Sequence, residues 1–260
     1  MQINLFNAFD FSFCDLDLIK REDYKEYMKE LKEYALEIGI VCNQAHAPFP
    51  TITIGDDGYN LMIREYIIRS IEAASILGAK IIVIHPANKW RFKENIELFN
   101  SFLPYAKAYN IKIGVENMWE RPYPKAETIS PCACSLFDDF TKTLEGLDPN
   151  YFVACLDIGH AEMFGKGYAV ELIHALGHRL EAIHIHDNDL AHDNHWIPGQ
   201  GNINFNDIAI ALREINYKGD ITLEVVNDKD DDINNKLDII ASFSQKFRNR
   251  ARILGNSIAE

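Results

Sequence analysis

The sequence predicts a parallel α/β barrel of TIM type, with seven visible β/α units and no evident first strand. Three observations carry this. Short apolar runs, several of them β-branched, alternate with longer amphipathic segments, the pattern of a parallel sheet covered by helices. Six of the seven short runs close on a residue able to hold a metal, at the strand ends where such barrels place their sites. No Gly/Pro/Ser-rich linker or composition break divides the chain, so residues 1–260 read as a single domain.

The elements follow in order. NAFDFSF (7–13) is a strand, with Phe9, Phe11 and Phe13 expected to pack between barrel and helices. A helix over 21–38 ends before Gly39, where a left-handed cap is wanted. IVCNQAH (40–46) closes on His46. The next helix, 59–77, carries Ile67, Ile71, Ala74 and Leu77 at helical spacing and stops before Gly78. AKIIVIHP (79–86) closes on His85, and a helix over 92–109 leads to IKIGVEN (111–117) with Glu116 at its end. Helix 135–145 precedes VACLDIG (153–159) with Asp157, and helix 168–178 precedes AIHIHDN (182–188) with His184. Helix 205–216 precedes DITLEV (220–225) with Glu224, and a last helix covers 233–253. NAFDFSF resembles a second barrel strand, with the first strand and most of the first helix absent. An open barrel exposes an edge, and a homodimer covering that seam is the expectation.

Composition narrows the partners. Lys and Arg number 26 against 39 Asp and Glu, a net charge of −13. Such a field repels phosphate backbones and anionic surfaces, which disfavours nucleic acid and membranes as partners. The acidic run Asp228–Asp232 reads as a solvated loop. No apolar run is long enough for a transmembrane helix, and the N-terminal stretch MQINLFNAFDF has neither the basic region nor the cleavage site of a signal peptide. Five scattered cysteines, with Cys132 and Cys134 too close for a usual zinc pair, read as free thiols in a reducing cytoplasm.

His46, His85, Glu116, Asp157, His184 and Glu224 would all meet at one mouth of a parallel barrel. Six such residues after apolar runs are costly without a shared purpose. Carboxylates with imidazoles suit Mn²⁺, Zn²⁺, Co²⁺ or Mg²⁺ better than Ca²⁺. The thirteen residues IHIHDNDLAHDNH (183–195) add three more histidines and three aspartates to His184.

Taken in order, HAPF (46–49), HP (85–86), VEN (115–117), LDIGH (156–160), HIHDN (184–188), DNH (193–195), PGQGNIN (198–204) and LEV (223–225) resemble the xylose isomerase-like TIM-barrel superfamily. That superfamily includes sugar phosphate isomerases/epimerases, ketose 3-epimerases and an endonuclease IV branch. The resemblance implies one divalent ion held by Glu116, Asp157, His184 and Glu224. It casts Glu116 and Glu224 as the acid/base pair passing a proton on either face of the substrate, and His160 as a contact to substrate oxygens. His186 is expected to support its neighbours rather than to ligate, and His192 to face solvent. Asp193 and His195 resemble the pair that holds an additional zinc in the endonuclease IV branch. All nine ligand types of that branch's three-zinc cluster have counterparts: His46, His85, Glu116, Asp157, His160, His184, Asp193, His195 and Glu224.

Three functions follow. The leading expectation is a metal-dependent isomerase or epimerase acting on a small carbohydrate, sugar phosphate or polyol ketone. The alternatives are a zinc phosphodiesterase on abasic DNA, with up to three zinc ions, and a non-catalytic sugar-binding barrel. The loop CDLDLIKRED lacks the Arg- and aromatic-rich insertion that the DNA enzyme uses. Trp90 and Trp119, just past strand ends, read either as faces that stack on a sugar ring or as loop plugs. Asn117 is a hydrogen-bonding candidate at the substrate, and Arg121 either binds a substrate oxygen or pairs with a carboxylate.

Overall fold

The computed structural model of the chain describes residues 8–120, 130–226 and 233–252. Arg121 and the acidic run Asp228–Asp232 lie outside the described residues. The strands are β1 (Ala8–Ser12), β2 (Val41–His46), β3 (Ile81–Ile84), β4 (Lys112–Glu116), β5 (Phe152–Asp157), β6 (Leu180–Ile185) and β7 (Thr222–Leu223). The helices are α1 (Leu16–Lys20), α2 (Tyr24–Glu37), α3 (Asp57–Leu77), α4 (Phe92–Asn100), α5 (Leu103–Tyr109), α6 (Phe137–Glu145), α7 (Ile158–Glu162), α8 (Tyr168–Leu176), α9 (Phe205–Glu214) and α10 (Ile233–Arg252). The strands follow chain order in the sheet, β1-β2-β3-β4-β5-β6-β7. Short apolar strands joined through helices suit a parallel sheet, and β1–β2, β2–β3, β3–β4 and β6–β7 all pair parallel.

The chain divides into two compact units, Met1–Met118 with Cys132–Ala154, and Trp119–Pro131 with Cys155–Glu260. In the first, β3 is buried along its whole length, Ile81 to Ile84, as a strand covered on both faces must be. The stripe Ile63, Ile67, Ile71 and Ala74 buries the inner face of α3. Asp56 starts that helix by accepting from the Tyr59 N–H, and Gly78 ends it at φ 104°, as its position in the sequence predicts. The helix expected over 92–109 is two helices. Pro104 has no N–H to offer Asn100, and the chain turns at Ser101–Phe102, where the Arg64 guanidinium donates to the Ser101 hydroxyl at 2.7 Å. The β1–β2 register skips Asn43, passing from Phe9↔Cys42 to Asp10↔Gln44.

In the second unit, α8 stops at Leu176, short of the expected 178. Gly177 takes φ 50° and a short 3-10 turn, Gly177–Arg179, leads into β6. Two short helices were not expected. In the first unit α1 follows β1, capped by the Asp15 carboxylate; in the second α7 follows β5 directly, capped by Asp157. The Phe205, Phe243 and Phe247 rings, with centroids 5.2 to 6.5 Å apart, join α9 to α10. All five cysteines are free thiols. No helix among the described residues is long and apolar enough to cross a membrane.

Candidate metal centre

In the first unit β2 and β4 end on His46 and Glu116, and His85 follows β3. Parallel pairing brings these ends side by side. The Nε2 atoms of His46 and His85 lie 3.0 Å apart, and each faces Glu116 Oε2, at 3.3 and 3.0 Å. His46 Nδ1 donates to the Ala47 carbonyl at 2.8 Å, which leaves the Nε2 lone pair aimed at the other two atoms. A proton on His85 Nε2, donated to its neighbours, or a cation between the three atoms satisfies this convergence. Around a tetrahedral zinc, ligand atoms at their usual distances stand about 3.3 Å apart, so the triangle fits an ion. Phe49, in the turn after β2, stacks on His85 with centroids 4.5 Å apart and keeps half its surface exposed.

In the second unit Asp157 ends β5, His184 lies on β6, and Glu224 follows β7, where its N–H donates to Ile185 and extends the pairing. His184 Nδ1 is 3.2 Å from Glu224 Oε2. One donor atom from each of the three lies within 4.8 Å of the others. Asp157 and His184 are buried, whereas the Glu224 side chain is 42% exposed. Asp157 Oδ1 also accepts the His160 N–H at 2.7 Å, so the strand-end carboxylate is the cap of α7 and places the His160 ring.

A separate group joins His160, His186, Asp193 and His195, each offering one donor atom within 4.8 Å of the rest. His160 Nε2 is 3.5 Å from one Asp193 oxygen; His186 Nε2 and His195 Nε2 are 3.4 and 3.2 Å from the other. His195 Nδ1 donates to the Glu224 carbonyl at 2.8 Å and turns Nε2 towards this group. Burial pushes the Asp193 carboxyl up, but hydrogen bonds to His160 and His195 outweigh it and hold the group far below the usual carboxylate range. Burial likewise lowers His195, yet the bond to Asp193 and its charge raise it to about 9. The Trp119 indole donates to Asp193 at 3.2 Å, and its ring centre is 6.4 Å from that of His160.

The loop after β6 is shaped by Asp187. Its buried carboxylate accepts the backbone N–H groups of Asn188, Gly199, Gly201 and Ile203 at 2.8 to 3.2 Å. A Cβ on Gly201 would meet the Asn188 carbonyl oxygen at 2.3 Å, so the PGQG stretch can close only on glycine there.

Within each unit the structure thus brings the expected donors together: His46, His85 and Glu116 in one, Asp157, His160, His184, Asp193, His195 and Glu224 in the other. His186 lies among them, expected to support its neighbours, and its Nε2 is 3.1 Å from Asp157 Oδ1. Asn117 is buried beside Glu116. Trp90 is half-buried in a turn fixed by its N–H to the Ala87 carbonyl and by the Asn95 amide. His192 is exposed and pairs with Asp189 at 2.8 Å.

The family model described as xylose isomerase-like TIM barrel matches residues 2–245. Among curated proteins, MJ1311, an uncharacterized protein of Methanocaldococcus jannaschii, is 29% identical over 218 residues, 79% of this chain and 70% of that one. Among solved structures, a D-tagatose 3-epimerase-like protein superposes with a TM-score of 0.75 at 22% identity, over 96% of this chain and 91% of that one. An L-ribulose 3-epimerase gives 0.73 at 15% identity, over 98% and 88%. At these identities the structures speak to the fold.

Proposed function

The chain belongs to the xylose isomerase-like TIM-barrel family, and from that premise we propose that it is a divalent-metal-dependent isomerase or epimerase of a small carbohydrate. Glu116, Asp157, His184 and Glu224 are the residues proposed to hold the reactive ion, which is Mn²⁺, Co²⁺, Zn²⁺ or Mg²⁺ by the chemistry of its donors. The observation that carries the reading is the Asp157, His184 and Glu224 group: two buried donors fix a position, and the third carboxylate remains 42% exposed. Such an exposed carboxylate can be reached by a bound molecule, as a group that takes its proton must be. The likeness to a D-tagatose 3-epimerase-like protein and an L-ribulose 3-epimerase supports a ketose as substrate.

When bound, the ion supplies a Lewis acid that polarises a carbonyl and acidifies the neighbouring C–H. Glu224 takes the proton from that carbon while the C–H electron pair moves towards the carbonyl. Glu116, entering as the carboxylic acid, delivers its proton to the opposite face for epimerisation and leaves Glu224 protonated, or Glu224 returns the same proton at the adjacent carbon for isomerisation. One proton leaves and one arrives, with no redox partner. His160, on α7, is proposed to bind a substrate hydroxyl, and Trp119 beside it offers an apolar face for a sugar ring. The test is a panel of free ketoses, aldoses and their phosphates with the metal-loaded chain. An epimer or isomer that forms, stops with chelator and returns with metal supports the reading; no product from any sugar contradicts it.

A second reading, a zinc phosphodiesterase on abasic DNA, draws on the other two donor groups, His46–His85–Glu116 and His160–His186–Asp193–His195. The net charge of −13 opposes it. Cleavage of an abasic duplex by the zinc-loaded chain would favour it over the sugar reading.

A further inference from the structure

We infer that the first unit carries a second binding site, a pocket against α3 that takes an apolar monocarboxylate, with its charge at Arg64. The site is independent of the sugar reading and of any bound ion.

The pocket has a volume of about 440 Å³, within the range of small-molecule sites. It is enclosed by the turn after β2, the first two turns of α3, and α4 with the turn that follows it. Its walls are the aliphatic side chains of Ile52, Leu61 and Leu98 and the Phe102 ring. Such walls bind the body of a ligand, and the few polar groups among them decide its head.

Two of those polar groups are already spent. The Thr51 hydroxyl donates to the His85 carbonyl at 2.7 Å. The Asn60 amide accepts the Thr53 N–H at 2.8 Å and donates to the Thr53 carbonyl at 2.9 Å. Arg64 keeps capacity in hand. Two of its five N–H groups go to Ser101, at 2.7 Å to the hydroxyl and 3.2 Å to the carbonyl. The other three have no partner among the described residues. The Ser101 bonds, with the Phe102 ring 4.9 Å from the guanidinium carbon, fix the plane of that cation. A fixed guanidinium beside apolar walls matches a carboxylate on an apolar body. Asp57 lines the same pocket two turns earlier on α3, about 10 Å along the helix. Its carboxylate opposes a second negative charge, so a monoanion fits better than a dianion.

The test titrates the full chain with 4-phenylbutyrate and with octanoate, beside the neutral 4-phenylbutanol, read by ligand-observed NMR. At least one carboxylate is expected to bind saturably with a Kd of about 1 mM or tighter. The alcohol is expected to bind about tenfold or more weakly, the worth of a hydrogen bond to a charged group. Arg64→Gln leaves a donor for Ser101 and removes the charge. Leu61→Glu sets a carboxylate in the wall at a side chain that is 74% exposed, so the fold does not rest on it. Each is expected to weaken carboxylate binding by about tenfold or more. Should Arg64→Gln unfold, since Arg64 also braces the turn at Ser101, Leu61→Glu decides. Failure of both carboxylates to bind overturns the inference, as does an alcohol that binds equally well. Binding left unchanged in a folded variant also overturns it, because the carboxylate then sits elsewhere on the chain. Inactivity on every sugar would count against the proposed function and leave this result standing.

Discussion

Four backbone N–H groups of the following loop converge on the Asp187 carboxylate. Removing the acceptor strands buried donors at about 1–3 kcal/mol each, less what entering water recovers. Asp187→Ala is therefore expected to destabilise the chain by about 3 kcal/mol or more, read as a lower midpoint in urea. A loss under about 1 kcal/mol would mean that the loop holds itself. This role was not legible in HIHDN, because the partners of Asp187 lie up to 16 residues away and sequence spacing does not announce a loop that folds back. His46, His85, Asp157, His184 and Glu224 were legible because each follows an apolar run and parallel strands bring such ends together. His186 was harder. Two in-phase histidines point the same way along one strand, and only the return of Asp193 and His195 distinguishes a supporting imidazole from a donor.

The helices show where local chemistry suffices. Asp56 and Gly78 bracket α3 as propensity predicts, and the 3.6-residue stripe between them is its buried face. Asp56→Ala removes the cap to the Tyr59 N–H and is expected to cost about 1 kcal/mol, measured by chemical denaturation; no change would show the cap to be replaced by solvent. The break between α4 and α5 was written in Pro104, but the amphipathic pattern runs through it and hid it. What makes the turn tenable is distant in sequence: Arg64, on α3, donates to Ser101 and lies over the Phe102 ring at 4.9 Å. The helix α7 is illegible in the sequence for another reason. Five residues are too few for a periodic signal, and its cap, Asp157, has the residue type and strand-end position of a ligand.

For the molecule as a whole, an acidic chain with several buried imidazoles has a stability tied to pH. Burial lowers His195, but the bond to Asp193 and its charge outweigh burial and raise the group to about 9, above its ordinary value of about 6.5. A group bound more tightly to its proton when folded contributes stability fully below the unfolded value and loses it as pH rises through the folded one. The Tm is therefore expected to fall between about pH 6.5 and 9, and less so in His195→Gln; an equal fall in both chains would separate His195 from that stability. The central claim, proton transfer by ion-bound glutamate on a sugar, has a more direct test. The metal-loaded chain is incubated in D₂O with the ketose it converts, and deuterium is read by NMR at the carbon beside the carbonyl. The account predicts incorporation by the wild-type chain and loss of at least about a hundredfold in Glu224→Gln, the lower range for removing a general base, with the barrel still folded. Conversion without deuterium at that carbon, or an unimpaired Glu224→Gln, would contradict it.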